Sequence, residues 1–118
     1  MALPSCDSYV QRVLDLFKAV PGTLGYVRAT DRRLAVVFYQ KNTPLEIIHA
    51  AFLLAVARRT SRPSNEEPLP PIASLYYFKP IIRELVNSPP DPTYIDYLCS
   101  RLAERAPKLA TPIDHHLP

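Results

Sequence analysis

Glycine is scarce in this chain of 118 residues: only Gly22 and Gly25 occur, and neither Asn-Gly nor Asp-Gly is found. Two-residue hairpins depend on such residues for backbone with positive φ, so their scarcity counts against a sheet and points to an all-helical fold. Cysteine is as rare. Cys6 and Cys99 lie far apart and lack the paired spacing of zinc sites or of a thioredoxin-type motif, so both read as free, partly buried thiols. No apolar run approaches the ~20 residues that span a bilayer. The opening stretch, MALPSCDSYVQ, has no basic segment leading into an apolar one, as an export signal would, so a cytoplasmic protein with no membrane partner is expected. Signatures of chemistry are missing as well. There is no paired-carboxylate arrangement, no Gly-rich phosphate loop and no nucleophile-and-base pattern, so neither an enzyme nor a bound cofactor or metal is expected. His49 stands alone on an apolar helix and reads as a packed residue. His115 and His116 lie in a patternless tail, where adjacent histidines bind metal without fixed geometry.

The chain does have proline. Its 14 prolines are about twice the usual share, and they cluster at joints between apolar segments. A hydrophobic content of 47 % supports one core, and the length is too short for two ordinary domains. The pattern predicts a compact bundle of about five helices with a Pro-rich loop between the third and the fourth. The first helix should begin near Asp7 or Ser8 and run to Val20, with Val10, Val13, Leu14 and Phe17 as its apolar stripe before Pro21-Gly22 stops it. Thr30 is the expected cap of a second helix from Asp31 to Lys41, buried through Leu34, Val37 and Phe38. Thr43 and Glu46 have the spacing of a capping box around Pro44, opening a third helix to about Arg59 that is apolar around most of its circumference.

Residues 60–72 hold four prolines and no helical periodicity, an unusually long loop for so small a domain. Ser74 caps a fourth helix to Asn87, in which Pro80 is anomalous. If the helix starts at Leu75, that proline leaves the carbonyl of Tyr76 unpaired or bends the helix. Asp91-Pro92 starts a fifth helix reaching Arg105. Beyond Pro107 no pattern remains, so residues 1–107 form the expected domain and 108–118 a frayed tail.

Charge is unevenly placed. Seven basic residues between Arg28 and Arg62 face only Asp31 and Glu46, a local balance of +5 against +3 for the whole chain. A basic face of this kind attracts phosphates and releases their condensed counterions. Arg32, Arg33, Arg58, Arg59 and Arg62 are the candidate contacts. The same charge could equally be a solvated surface with arginine at a helix end. The third helix is too apolar to read bases in a major groove, so binding is expected to be mostly nonspecific. Tyr76, Tyr77 and Phe78, beside Lys79 and Arg83, combine aromatic rings with cations as single-strand binding surfaces do. Of the three rings Phe78 reads as core and Tyr76 as the most exposed.

Residues from about Thr30 to Leu85 resemble the C-terminal domain of DnaD/DnaB-type primosomal proteins. The likeness rests on a short helix, the helix start Pro44-Leu45-Glu46-Ile47-Ile48 with Ala-rich sequence after it, and a serine-capped helix carrying Tyr77, Ile81 and Leu85. That last run is similar to the family's Tyr-x-x-x-Ile-x-x-x-Trp motif, with Leu85 in the Trp position of a chain that has no tryptophan. The resemblance implies single- or double-stranded DNA binding and a role in replication, a plasmid or a mobile element, with Tyr77 and Ile81 as the positions carried over. The leading expectation is therefore a nucleic-acid-binding accessory protein. The rival is a protein–protein adaptor, or a homodimer, that uses the third helix, the tyrosines and an extended segment of Pro68, Leu69, Pro70 and Pro71.

Overall fold

The computed structural model describes residues 5–61 and 65–110. Among them are five α-helices: α1 (Cys6–Ala19), α2 (Ala29–Gln40), α3 (Leu45–Thr60), α4 (Lys79–Asn87) and α5 (Pro92–Leu102), with a 3₁₀ turn at Leu75–Phe78 ahead of α4. No strand is present among the described residues, only one isolated parallel bridge between Thr23 and Ile72. The all-helical bundle read from the glycine scarcity is what the chain forms.

Local chemistry explains each helix start. Ser5 caps α1, its side chain accepting from the backbone N–H of Ser8 at 3.2 Å. Tyr9, Val10, Val13, Leu14 and Phe17 fall three or four residues apart and are buried. α2 begins earlier than expected, at Ala29, and Thr30 is not its cap. Asp31 takes that role from inside the first turn, accepting the N–H of Arg28 at 2.9 Å. The helix ends in a Schellman motif: Thr43 N–H donates to Phe38 O at 3.0 Å and Asn42 N–H to Tyr39 O at 2.9 Å, with Asn42 at φ +58°.

That motif also undoes the expected capping box. The N–H of Thr43 is committed to Phe38, so it is not there for Glu46, and α3 starts behind Pro44 with no side-chain cap. The Thr43 carbonyl accepts the buried Tyr9 hydroxyl at 2.6 Å, which ties α1 to the α2–α3 corner. α3 is central. It packs against α1, α4, α5 and the 3₁₀ turn, and Ala50, Ala51 and Ala55 let those neighbours come close. Phe78 in the turn meets Phe52 of α3 at 4.5 Å and Phe17 of α1 at 6.0 Å between ring centroids, so one aromatic cluster joins three elements.

Pro80 causes no kink. The chain makes a 3₁₀ turn first, in which the N–H of Lys79 donates to Tyr76 O, and α4 then starts at Lys79 with proline in its first turn. There the missing N–H has no intrahelical partner to lose. Asp91 caps α5 as expected, accepting from Thr93 N–H at 2.8 Å, but the helix stops at Leu102, short of Arg105.

The expected fraying after Pro107 does not hold for residues 108–110. Ala106 and Ala110 each close a helical turn on the residue four before, both at 2.8 Å, and Leu109 is wholly buried in the core. One large apolar side chain is enough to dock such a segment without any periodicity. Residues 111–118, including His115 and His116, lie outside the described residues.

Candidate nucleic-acid interface

Two loops run side by side at one end of the bundle. The segment after α1 meets the end of the Pro-rich loop where Ile72 N–H donates to Gly22 O at 2.7 Å and Leu24 N–H to Ile72 O at 3.2 Å. A few residues further along both segments, Asp31 joins them again. One of its carboxylate oxygens accepts Arg28 N–H, and the other accepts Leu75 N–H at 2.9 Å and the Ser74 hydroxyl at 3.2 Å. This carboxylate is fully buried and is satisfied by three donors. It sets the starts of α2 and of the 3₁₀ turn against each other, and with them the side chains that flank each start.

Those flanking side chains are aromatic and cationic. Tyr26 is exposed, with the Arg28 guanidinium 5.6 Å from its ring centroid and donating to its hydroxyl at 3.2 Å. Tyr76 is half exposed beneath Lys79 Nζ at 5.8 Å, and Tyr77 lies beneath Arg59 at 5.6 Å. These are the three cation–ring pairs among the described residues, and each uses an exposed or half-exposed tyrosine. Sequence reasoning found Tyr76, Tyr77, Lys79 and Arg59 but missed Tyr26 and Arg28. The signal was the short Tyr26-Val27-Arg28 run two loops away, which gains meaning only once the Asp31 contact brings the loops together. Phe78 is core, as expected.

The basic residues divide into three kinds. Arg28 and Arg32 stand one turn apart, Arg32 N–H donating to Arg28 O at 3.2 Å, and Arg32 and Arg33 are exposed with no ion pair among the described residues. Arg28 sits at the positive end of the α2 dipole, which opposes a cation there, while its hydrogen bond to the Tyr26 hydroxyl favours the charged guanidinium. Arg58 differs: Glu84 of α4 binds it in bidentate fashion at 2.9 and 3.4 Å, which offsets its charge. Both partners are half exposed, so the pair adds at most about 1 kcal/mol. Arg59 is a structural clamp as well as a cation. It donates to Pro70 O at 3.0 Å and to the Tyr77 hydroxyl at 3.3 Å, and passes Gly22, where an added Cβ would stand 3.6 Å from its guanidinium. Arg83 is exposed on α4, and Arg62 lies outside the described residues. The arginines expected to form one basic face therefore do not act alike.

Burial pushes the Cys99 thiol above its ordinary range, with the nearby Asp96 adding to the shift, so it is held as a thiol at neutral pH. Cys6 is also free. No three metal-ligating side chains cluster among the described residues. His49 is buried, as expected of a packed histidine, with Nε2 2.6 Å from Leu109 O. Of the motif positions, Tyr77 is half exposed, Ile81 half buried and Leu85 buried. No helix among the described residues is long and apolar enough to cross a membrane.

No family model, no curated protein and no solved structure matches this chain.

Proposed function

We propose that this protein is a non-catalytic accessory factor that binds nucleic acid, preferring single-stranded DNA and reading little sequence. The observation that carries the reading is the Asp31 carboxylate, which holds the start of α2, with Tyr26, Arg28 and, one turn on, Arg32 and Arg33, against the 3₁₀ turn that carries Tyr76 and Tyr77. Exposed rings give bases a sequence-tolerant stacking surface, and unpaired guanidinium groups give phosphates their counter-charge. The likeness to primosomal helper proteins supports DNA replication or a mobile element as the setting.

The test is fluorescence anisotropy with labelled single- and double-stranded DNA at low and at moderate salt. One phosphate contact for each of Arg28, Arg32 and Arg33 on a single strand gives a slope of about −2 in log K against log salt. Absence of binding at low salt overturns the proposal.

A further inference from the structure

The segment that leads into this strip carries a second surface, and it does not depend on nucleic-acid binding. Residues 67–71 form neither helix nor turn, and every residue from Glu66 to Pro71 is exposed. Prolines at 68, 70 and 71 fix φ near −65°, and each residue that precedes one of them is steered toward extended backbone. Such a run favours polyproline II geometry, in which residues three apart share an edge.

Ile72 is buried with both its backbone groups bonded, to Gly22 and Leu24, which anchors the end of the segment. Arg59 holds the Pro70 carbonyl at 3.0 Å. Pro68 and Pro71, three residues apart, are both exposed, and so is Leu69 between them.

We infer that Pro68 and Pro71 form a docking epitope for a partner protein whose groove is lined by tryptophan and tyrosine side chains. Proline rings three apart fit between such aromatic rings, and the groove's indole N–H or phenol O–H donates to the segment's carbonyls. The backbone is already ordered by its prolines and pinned at Pro70 and Ile72, so little conformational entropy remains to be lost on docking. Nucleic acid is the wrong occupant for this edge, because residues 65–72 carry two carboxylates and no cation.

The experiment immobilises the full chain and titrates purified SH3, WW and EVH1 domains as aromatic-groove probes. At least one class binds saturably, the double variant Pro68→Ala/Pro71→Ala weakens it ~tenfold or more, and Pro89→Ala, an exposed proline in the α4–α5 joint, leaves it unchanged. Each single variant gives a smaller loss in the same direction, which keeps the test valid if the double variant folds poorly. DNA affinity of the double variant stays at the parent value, separating this surface from the basic strip. Failure of all three domain classes to bind, or equal binding by parent and double variant, overturns the inference.

Discussion

Asp31 and Leu75, 44 positions apart in sequence, meet where the buried carboxylate accepts the Leu75 backbone N–H at 2.9 Å. The same side chain satisfies Arg28 N–H and the Ser74 hydroxyl, so removing it strands three donors. Asp31→Ala should cost about 3 kcal/mol, since donors to a charged acceptor lose more than neutral pairs do and the Leu75 site is buried. Asp31→Asn keeps one acceptor oxygen but turns an amide toward Arg28 N–H, and should fall between parent and alanine. Urea unfolding monitored by circular dichroism checks both. A loss below about 0.5 kcal/mol for the alanine variant, the ordinary scale of surface substitutions, would mean that the contact does not organise the strip.

His49 gives the fold a pH dependence of predictable sign. Burial is the main cause that holds its pKa below the ordinary 6.5, with Arg12 of α1 acting in the same direction and the Leu109 carbonyl and Glu46 opposing it. The unfolded chain therefore binds a proton that the folded chain resists, and stability rises with pH across that range. His49 contributes no penalty above pH 6.5; as pH falls from 6.5 toward the depressed folded value, stability is progressively lost. His49→Gln should flatten Tm against pH between pH 7 and pH 5 (about one unit either side of the ordinary value) relative to the parent. An unchanged slope in the variant would assign the dependence to other groups.

How far these features could be read from sequence depends on how local their causes are. The α1 stripe and the Asp91-Pro92 start of α5 arise from residues within one turn of each other, and both are visible in the string. Asp31 was legible as a first-turn anion, but its bonds to Ser74 and Leu75 were not, because no local pattern links positions so distant. Thr43 and Glu46 misled for the opposite reason. Their spacing is right, yet the preceding helix ends by claiming the same N–H. Tyr26 and Arg28 looked like loop residues until the Thr23–Ile72 bridge and Asp31 placed them beside the 3₁₀ turn.

Pro80 supplies a sharp contrast between two readings of one residue. In the interior of a helix it would cost ~3 kcal/mol, and replacing it would recover that amount. In the first turn of α4 its fixed φ suits the helix start, and the cost vanishes. Pro80→Ala should therefore change unfolding free energy by less than about 1 kcal/mol, in either direction. A gain of several kcal/mol would place the proline inside a continuous helix from Leu75.

Leu109 tests whether the segment after α5 belongs to the domain. It is wholly buried, and its carbonyl lies 2.6 Å from His49 Nε2. Leu109→Ala should lose about 2–5 kcal/mol, the range for large-to-small changes in a core. Ending the chain after Pro107 should lose at least as much, as it also removes the acceptor of His49. Thermal unfolding of both forms is sufficient, and an unchanged Tm would return residues 108–110 to a tail.

The proposed binding strip predicts that charge and stacking can be separated by mutation. Arg32 and Arg33 are exposed and unpaired, so Arg32→Ala/Arg33→Ala should make the salt slope on single-stranded DNA shallower by about 1.4, or 0.7 for each phosphate no longer neutralised. Tyr26→Ala and Tyr76→Ala remove rings without charge. Each should weaken single-strand binding by about 1–3 kcal/mol while leaving the slope as it was. Arg58→Ala is the internal comparison: Glu84 already offsets that guanidinium, so its loss should shift the slope less than the Arg32/Arg33 pair does. Tyr77 is less suited to this test, because it also bonds Arg59 and packs edge-on against Phe78. If the tyrosine variants changed the salt slope as well as the affinity, or Arg58→Ala matched the double arginine variant, the ligand would be engaging the acidic–basic seam between α3 and α4 rather than the strip beside Asp31.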